Sequence, residues 1–258
     1  MRIIFISGKK AARLLLMAFL ILVSFLMVDT MQGESLGVFM STRRELPIYS
    51  VETDEKKIAI SFDAAWGAEY TRKIMDIVEE RNIRTTFFLV GFWVDKYPEM
   101  VKEIASRGHE IGNHSTTHPH MAKLSREQMI TEIETTQRKI EELAGERAVK
   151  LIRPPFGEYN DLLIKTCREL GFYTIQWDVD SLDWQEHGVQ HMFDRVTGKT
   201  RSGSIILFHN NAKYITQALP SILDHLLAEG YQIIPVSELI YKDNYRIDHT
   251  GKQIKLPE

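Results

Sequence analysis

The stretch Lys57-Ile-Ala-Ile-Ser-Phe-Asp63 is mostly apolar through its middle and ends on an aspartate. An apolar run of this length predicts a strand buried in a sheet. Helical spacing of apolar residues follows from Tyr70 to Arg81, and a run rich in β-branched and aromatic residues covers Thr85 to Val90. Strand, helix and strand in this order predict a β-α-β unit with parallel strands.

The same alternation of strand and helix continues along the chain to about residue 241. Further strands are predicted at 110–113, 149–153, 173–178, 204–209 and 232–234. Further helices are predicted at 94–107, 125–144, 161–170, 189–196 and 216–229, with a short one from Ser237. About seven β-α units in one domain predict an α/β protein whose parallel sheet closes into a (β/α) barrel. A doubly wound open sheet is the alternative, although no glycine-rich dinucleotide fingerprint supports it.

The composition of the 258 residues is that of an ordinary globular protein, with 44% hydrophobic and 26% charged side chains. The net charge of −3 and the lack of a long basic run beyond the N-terminus argue against nucleic acid as the main partner. The single cysteine, Cys167, excludes an intramolecular disulfide. It falls within a helical pattern and is predicted to be a small buried hydrophobe.

Residues 1–28 carry the pattern of an export signal. The first thirteen positions contain four basic residues and no acidic one, and Leu14 to Val28 is apolar apart from Ser24. The basic end is expected to stay in the cytoplasm and the rest of the chain to lie outside. The apolar run is short for a full span. Because Asp29–Gly33 offers no convincing cleavage site, an uncleaved signal anchor in the cell membrane is favoured over a cleaved peptide and a secreted protein.

Two weakly patterned segments flank the alternating region. Residues 29–55 are predicted to be a stalk or linker between the anchor and the domain. The domain itself is predicted to cover residues 56–241. Residues 242–258 are polar and show no periodicity, which indicates a tail without regular structure.

Polar side chains stand where several of the predicted strands end. They are Asp63, His114, Arg153, Asp178 and His209. The carboxyl ends of parallel barrel strands share one rim, and active sites in such barrels are built there. Two aspartates, two histidines and an arginine together favour a reactive site over strand ends that merely leave the core.

His114 and His118, called the histidine pair below, form the candidate metal site. Imidazole is the commonest side-chain metal ligand, and two rings four residues apart can hold one divalent ion from a tight bend. A solvent-exposed loop is the alternative interpretation, since Pro119 and His120 follow directly.

Five motifs in order resemble those of the polysaccharide deacetylases that share the NodB homology domain, carbohydrate esterase family 4. They are Ser61-Phe62-Asp63-Ala64-Ala65, His114-Ser115-Thr116-Thr117-His118, Arg153-Pro154-Pro155-Phe156-Gly157, Asp178-Val179-Asp180-Ser181-Leu182-Asp183-Trp184 and Leu207-Phe208-His209. The resemblance covers about residues 56–240. It implies a distorted (β/α) barrel and metal-dependent removal of N- or O-acetyl groups from a glycan.

The resemblance also implies a role for each residue type. A metal held by the histidine pair acts as a Lewis acid, and Asp63 takes a proton from the attacking water. His209 then protonates the sugar nitrogen. Arg153 orients Asp63 through a charge-assisted pair, and Asp183 holds His209 in its tautomer. The metal is expected to be zinc or cobalt, weakly bound.

Three apolar side chains of the motifs are expected to touch the substrate. Phe156, Trp184 and Leu207 could form walls against which the acetyl methyl and a sugar face pack. Each of them has ordinary core packing as its alternative interpretation, which is as good an account for Phe156 and Leu207.

One position departs from the family pattern. The second aspartate of the first motif is a metal ligand in the family, and here it is Ala64. A methyl group cannot bind a cation, so the histidine pair with water makes a weak site unless Glu69 or an aspartate after the fifth strand reaches it. The Asp-Ala-Ala-Trp-Gly form is similar to that of a sporulation-linked subgroup, which is a fainter resemblance than the one to the family.

Three functions remain open on the sequence alone. The first is a membrane-anchored, metal-dependent deacetylase of an envelope glycan, for which outward topology favours peptidoglycan. The second is a pseudo-enzyme that binds glycan without hydrolysing it, which Ala64 favours. Retention of Asp63, Arg153, Asp183 and His209 favours the enzyme, because a binding protein needs neither an acid and a base nor their orienting groups. A sugar-binding barrel enzyme such as an isomerase is the third.

Overall fold

A computed structural model of the protein describes residues 16–23 and 44–257. It divides into two compact units, Met1–Arg44 and Glu45–Glu258. Residues 16–23 of the first unit are helical, and the rest of the signal segment predicted at 1–28 lies outside the described residues. Within the described ranges, no helix combines the length and the apolar character needed to cross a bilayer.

A curled sheet of parallel strands forms the centre of the second unit. Its described strands are β1 (Ser50–Val51), β2 (Lys57–Ala64), β3 (Thr86–Leu89), β4 (Glu110–Asn113), β5 (Ala148–Ile152), β6 (Tyr173–Thr174), β7 (Val179–Asp180), β8 (Ile205–His209), β9 (Gln232–Ile233), β10 (Tyr245–Ile247) and β11 (Lys252–Lys255). The order in the main sheet is β6-β5-β4-β3-β2-β8-β7, and β9 pairs with the start of β2. The sheet curls into a half-barrel, which confirms the predicted α/β class and distorted (β/α) barrel.

Helices cover the outside of this sheet. Those described are α1 (Thr71–Glu79), α2 (Gly91–Lys96), α3 (Pro98–Ser106), α4 (Arg126–Ala144), α5 (Asp161–Glu169), α6 (Val189–Thr197), α7 (Ile215–Ala228) and α8 (Val236–Leu239). Ser125 and Gln128 form the predicted capping box at the start of α4. The helix predicted at 94–107 is instead two helices, because Pro98 disfavours helical backbone at Tyr97.

Strand β2 separates the hydrophobic core from the barrel interior. Its even-numbered residues from Ile58 to Ala64 pack in the main hydrophobic cluster together with side chains of α1 and α7. Successive side chains of a strand point to opposite faces, so Ser61 and Asp63 face the interior. Asp63 therefore lies near the carboxyl end of β2, and its side chain is on the face opposite the helices.

The barrel has a seam between β6 and β7. The prediction of one strand over 173–178 is wrong. Only the first two residues of that range form a strand, β6, which pairs with β5. Strand β7 begins after the range and pairs with β8, and β6 and β7 do not pair with each other. The segment before β2 closes part of this seam: Ile48 bridges Ile175, and Ser50 bridges Ser204.

Asp178 lies at the far end of the barrel from the predicted rim. Its carboxylate accepts hydrogen bonds from Ile205 N at 2.9 Å and from Ser204 Oγ at 3.0 Å. Ile205 begins β8, whereas His209 ends it. The expectation that Asp178 ends a strand at the rim is therefore wrong, since it precedes β7.

A small second sheet joins the two ends of the unit. Strand β11 pairs with both β1 and β10, and buried Gln253 bonds both main-chain groups of Tyr241. The prediction of a tail without regular structure at 242–258 is therefore wrong, because β10 and β11 lie within it. Within the linker predicted at 29–55, residues 29–43 lie outside the described residues, whereas residues 45–55 belong to the compact unit, which extends beyond 56–241 on both sides.

Candidate active site

A cleft of about 740 Å³ opens at the carboxyl ends of the strands. Asp63 and His209 are paired positions on the neighbouring parallel strands β2 and β8. His114 directly follows β4. Arg153 follows β5 and is buried beneath the cleft. Side chains that are distant in sequence thus meet at one rim because parallel strands end at the same edge of the sheet.

A wholly buried arginine holds the carboxylate of Asp63. Arg153 is 0% exposed, and its Nη1 donates to Asp63 Oδ1 at 2.7 Å. Its Nη2 donates to Ser61 Oγ at 2.8 Å and to Gln176 O at 3.2 Å. The guanidinium also lies 4.2 Å from the ring centroid of Phe88. Fixed on three sides, Arg153 determines which way the Asp63 carboxylate points.

The environment of Asp63 keeps it ionised. Burial alone would raise its pKa, but the charge of Arg153, with smaller effects from His114 and His209, holds the pKa below its ordinary value. A carboxylate in this state can accept a proton from water at neutral pH, as a general base must.

His209 is oriented by Asp183 from two directions. The Nδ1 atom of His209 lies 2.7 Å from Asp183 Oδ1, and its main-chain N donates to Oδ2 at 2.7 Å. Because a carboxylate only accepts, Nδ1 carries the proton and Nε2 remains for the cleft. Burial lowers the pKa of His209, but the hydrogen bond and charge of Asp183 outweigh it and raise the pKa above its ordinary value. His209 is thus suited to the role of an acid.

Replacing Asp183 with asparagine should move the alkaline limb of the pH–rate profile to lower pH. The acid form of His209 is lost as the pH rises through its pKa, and asparagine removes the charge that raises that pKa. The measurement is kcat for acetate release from neutral to alkaline pH. Asp194→Asn, which alters an exposed carboxylate outside the cleft, should leave the limb in place. An unmoved limb in Asp183→Asn would contradict the role of this pair.

The histidine pair presents ring nitrogens to the cleft. Nδ1 of His114 lies 2.6 Å from Arg153 O, and because a carbonyl only accepts, Nε2 keeps its lone pair. That Nε2 lies 3.5 Å from Asp63 Oδ2, and the two imidazole rings are 5.1 Å apart. Burial lowers the pKa of His114, and burial together with His114 lowers the pKa of His118 to about 4. Neutral imidazoles with free lone pairs fit a divalent ion.

The loop that carries the histidine pair is fixed by a residue of α4. Glu132 accepts hydrogen bonds from the main-chain N of Thr116 and of Thr117, each at 2.8 Å. Ser115 and His118 have φ values of 67° and 57°, a region that non-glycine residues rarely adopt. The Glu132 carboxylate therefore stabilises a strained loop. Sequence reasoning missed Glu132, because its role depends on how α4 packs against this loop.

No third ligand joins the histidine pair in the part of the chain that the structure describes. There, no group of three or more histidine, cysteine, aspartate or glutamate side chains is arranged to hold a metal ion. Ala64 is 0% exposed and packs in the main hydrophobic cluster, whereas Ala65 lines the cleft. Glu69, considered as a substitute ligand, does not line the cleft. The protein thus offers two imidazoles and the adjacent Asp63.

The expected substrate walls all line the cleft. Phe156 and Trp184 are exposed there, and the Phe156 ring lies 4.6 Å from that of His118. Leu207 also lines the cleft although it is only 2% exposed, so it touches both cleft and core. Sequence reasoning missed other lining residues, among them Trp66, Tyr70, Trp177, Glu186, Asn211 and Lys213. For Trp66, an aromatic residue just beyond a strand end was an available signal.

The chain is similar to known proteins in sequence and in fold. The family model for polysaccharide deacetylases matches residues 50–175. The chain is 35% identical over 197 residues to a peptidoglycan N-acetylglucosamine deacetylase from Bacillus cereus, covering 74% of this chain and 92% of the relative. The chain belongs to the polysaccharide deacetylase family. Deacetylases of this family are metal-dependent hydrolases of carbon–nitrogen bonds other than peptide bonds.

Two further relatives extend the comparison for this member of the family. An uncharacterized Bacillus subtilis protein is 32% identical over 204 residues, which cover 79% of this chain and 63% of that protein. A solved structure of a CE4 family pseudoenzyme from Bacillus anthracis has a TM-score of 0.73 at 32% identity, covering 81% of this chain and 72% of the other. A mutant in that pseudoenzyme series has restored enzymatic activity. The family fold therefore occurs in active and inactive forms.

Proposed function

We propose that the protein removes acetyl groups from N-acetylated sugars of peptidoglycan by metal-dependent hydrolysis. The observation that carries the proposal is the pair of complete acid and base units in one cleft. Asp63 is paired with Arg153 at 2.7 Å, and His209 is paired with Asp183 at 2.7 Å. A protein that only binds glycan gains nothing from both units.

The reaction follows from what these side chains can do. The acetyl methyl packs against Leu207 and the exposed aromatic rings of Phe156 and Trp184, which excludes water from that side. Asp63 accepts a proton from the water that attacks the acetyl carbon. His209 donates its proton to the sugar nitrogen as the carbon–nitrogen bond breaks, so the products are acetate and a free amine. When bound at the histidine pair, a divalent ion supplies Lewis-acid activation of the carbonyl.

Zinc or cobalt is the proposed metal, because imidazole ligands suit these ions. With two imidazoles and no carboxylate as a third ligand among the described residues, the affinity for the metal is expected to be lower than that of a three-ligand site. The low pKa of His118, about 4, leaves its ring neutral for binding at physiological pH.

The proposed location is the outer face of the cell membrane. The basic residues followed by the apolar run in 1–28 support an anchor with the catalytic unit outside. Peptidoglycan lies outside the cytoplasmic membrane, so this topology brings enzyme and substrate together. A role in sporulation stays a prediction.

Acetate release should depend on added divalent metal. The measurement uses the full chain with acetylated peptidoglycan, first after treatment with a chelator and then with zinc or cobalt restored. His118→Ala should abolish both metal binding and activity. His225→Ala should keep both, because that imidazole is exposed on α7 and does not line the cleft. Chelator-resistant acetate release would refute the proposed chemistry.

A glycan-binding pseudo-enzyme is the second candidate. The absence of a third ligand within the described residues favours it, as does the structural similarity to a pseudoenzyme. Glycan binding without acetate release at any zinc or cobalt concentration would support this function and exclude the first.

A further inference from the structure

We propose that His120 and Glu158 are positioning residues that hold the Phe156 ring against His118 and thereby raise the metal affinity of the histidine pair. The two residues are called the positioning pair below. The proposal rests on the metal-dependent function proposed above. It gives a role to two side chains that do not line the cleft.

The Phe156 ring depends on its neighbours to keep its place. The residue is 56% exposed, and its φ of 61° lies in the left-handed region, which is unfavourable for a bulky side chain. Such a conformation persists only where surrounding contacts fix it. The main chain of the turn is fixed by Trp177, since a Cβ atom at Gly157 would lie 3.1 Å from that ring. The exposed Phe156 ring needs contacts of its own.

The positioning pair supplies one of these contacts. The His120 ring stacks on the Phe156 ring, with centroids 4.5 Å apart and planes inclined by 20°. Nδ1 of His120 lies 2.8 Å from Glu158 Oε2, and because a carboxylate only accepts, Nδ1 carries the proton. This hydrogen bond fixes the plane of the imidazole that faces Phe156. Both side chains are partly in water, so the pair orients a ring more than it stabilises the fold.

Phe156 passes this orientation on to His118. Their rings meet edge to face, with centroids 4.6 Å apart, which is a favourable arrangement of aromatic rings. His114 is oriented by the hydrogen bond of Nδ1 with Arg153 O, whereas His118 packs among the rings of Trp66, His114 and Phe156. Packing thus directs the nitrogens of His118. Contacts outside the ligands tune metal affinity in this way, because a ligand oriented beforehand loses less entropy on binding.

The loops themselves have other supports, so that changes in the positioning pair should not unfold them. Asn160 Nδ2 donates to Ala122 O at 2.8 Å, which joins the same two segments of chain a few residues away. Glu132 holds the main chain between the two histidines. Loss of the positioning pair is therefore expected to release the Phe156 ring and leave the fold intact.

The test measures zinc binding to the full chain by isothermal titration, without any glycan. Every chain carries His187→Ala, because the exposed rings of His187 and His191 lie 4.7 Å apart and could bind zinc separately. Adding His120→Ala should weaken zinc binding by about three- to tenfold. His120→Phe should restore most of the loss, since it keeps a flat ring on Phe156. Thermal unfolding without zinc should be the same in all chains.

His225→Ala is the matched control. His225 is also an exposed imidazole that contacts a phenylalanine, with its ring 5.4 Å from that of Phe193, but it lies on α7 and does not line the cleft. This variant should bind zinc as tightly as the parent chain.

A double-variant cycle tests whether His120 acts through Phe156. In chains that carry Phe156→Ala, adding His120→Ala should cause no further loss of zinc affinity. A full further loss would overturn the proposal, as would an unchanged affinity in His120→Ala, no rescue by His120→Phe, or a parent chain that binds no zinc. Acetate release is recorded separately. The expected cycle in a chain that releases no acetate would refute the deacetylase function and support the positioning pair.

Discussion

Replacing Asp63 with asparagine is expected to lower kcat for acetate release by about 100-fold or more, because an amide cannot take the proton of the attacking water. The asparagine Oδ1 can still accept from Arg153, a contact of 2.7 Å in the native protein, so the chain should fold. The rate is measured at saturating glycan and restored metal, and thermal unfolding checks the fold. Wild-type rates in Asp63→Asn would mean that another group is the base.

Asp178→Asn is the matched control for this experiment. Asp178 is also a carboxylate of the motif region, with a side chain only 8% exposed, but it bonds Ile205 and Ser204 at the opposite end of the barrel. The variant should therefore keep kcat close to that of the native protein. If kcat of Asp178→Asn fell as far as kcat of Asp63→Asn, the loss in Asp63→Asn could not be assigned to the position of Asp63 in the cleft.

Replacing Arg153 with methionine is expected to reduce the free energy of unfolding at neutral pH by about 3–5 kcal/mol. Arg153 is 0% exposed, and its loss leaves the buried Asp63 carboxylate without its cation. The measurement is urea unfolding of the native and variant chains. Activity should fall as well, because burial then raises the pKa of Asp63 and nothing orients its carboxylate.

The pH dependence and a double variant separate charge from packing. In the native chain the lowered pKa of Asp63 contributes stability above the pKa of the unfolded state, and this is lost as the pH falls through the folded value. In Arg153→Met the raised pKa reverses the sign, so the deficit should shrink in acid. Asp63→Leu combined with Arg153→Met should recover much of the stability. A double variant no more stable than Arg153→Met would assign the loss to packing alone.

The core of the site could be predicted because it depends on strand ends. Asp63 and His209 each stand at the end of an apolar run, His114 follows a short predicted strand, and parallel strands bring such positions to one edge. The pairing of Arg153 with Asp63 came from resemblance to a family, and the structure gives its physical basis in a buried ion pair. Local pattern thus located the groups, but it did not determine their contacts.

The errors arose where tertiary packing decides the outcome. The run 173–178 looked like one strand, yet only its first two residues form β6, and Asp178 directly precedes the separate strand β7, so Asp178 was assigned to the wrong end of the barrel. Gln253 is a polar residue in a polar tail, but a neighbouring strand buries it. Glu132 acts on the histidine loop only because α4 docks beside it. None of these contacts can be recognised from the periodicity of apolar residues in the sequence.

The closure of the seam by the residues before β2 has a practical consequence for anyone shortening this protein. Ile48 O accepts from Gln176 N at 2.7 Å, and Gln176 O in turn accepts from Arg153. A fragment cut at residue 56 would thus remove a support only two hydrogen bonds away from the arginine that orients Asp63. A fragment for assay or crystallisation should begin no later than Glu45 and should include β11. The sequence pattern alone would assign both segments to a linker and a tail.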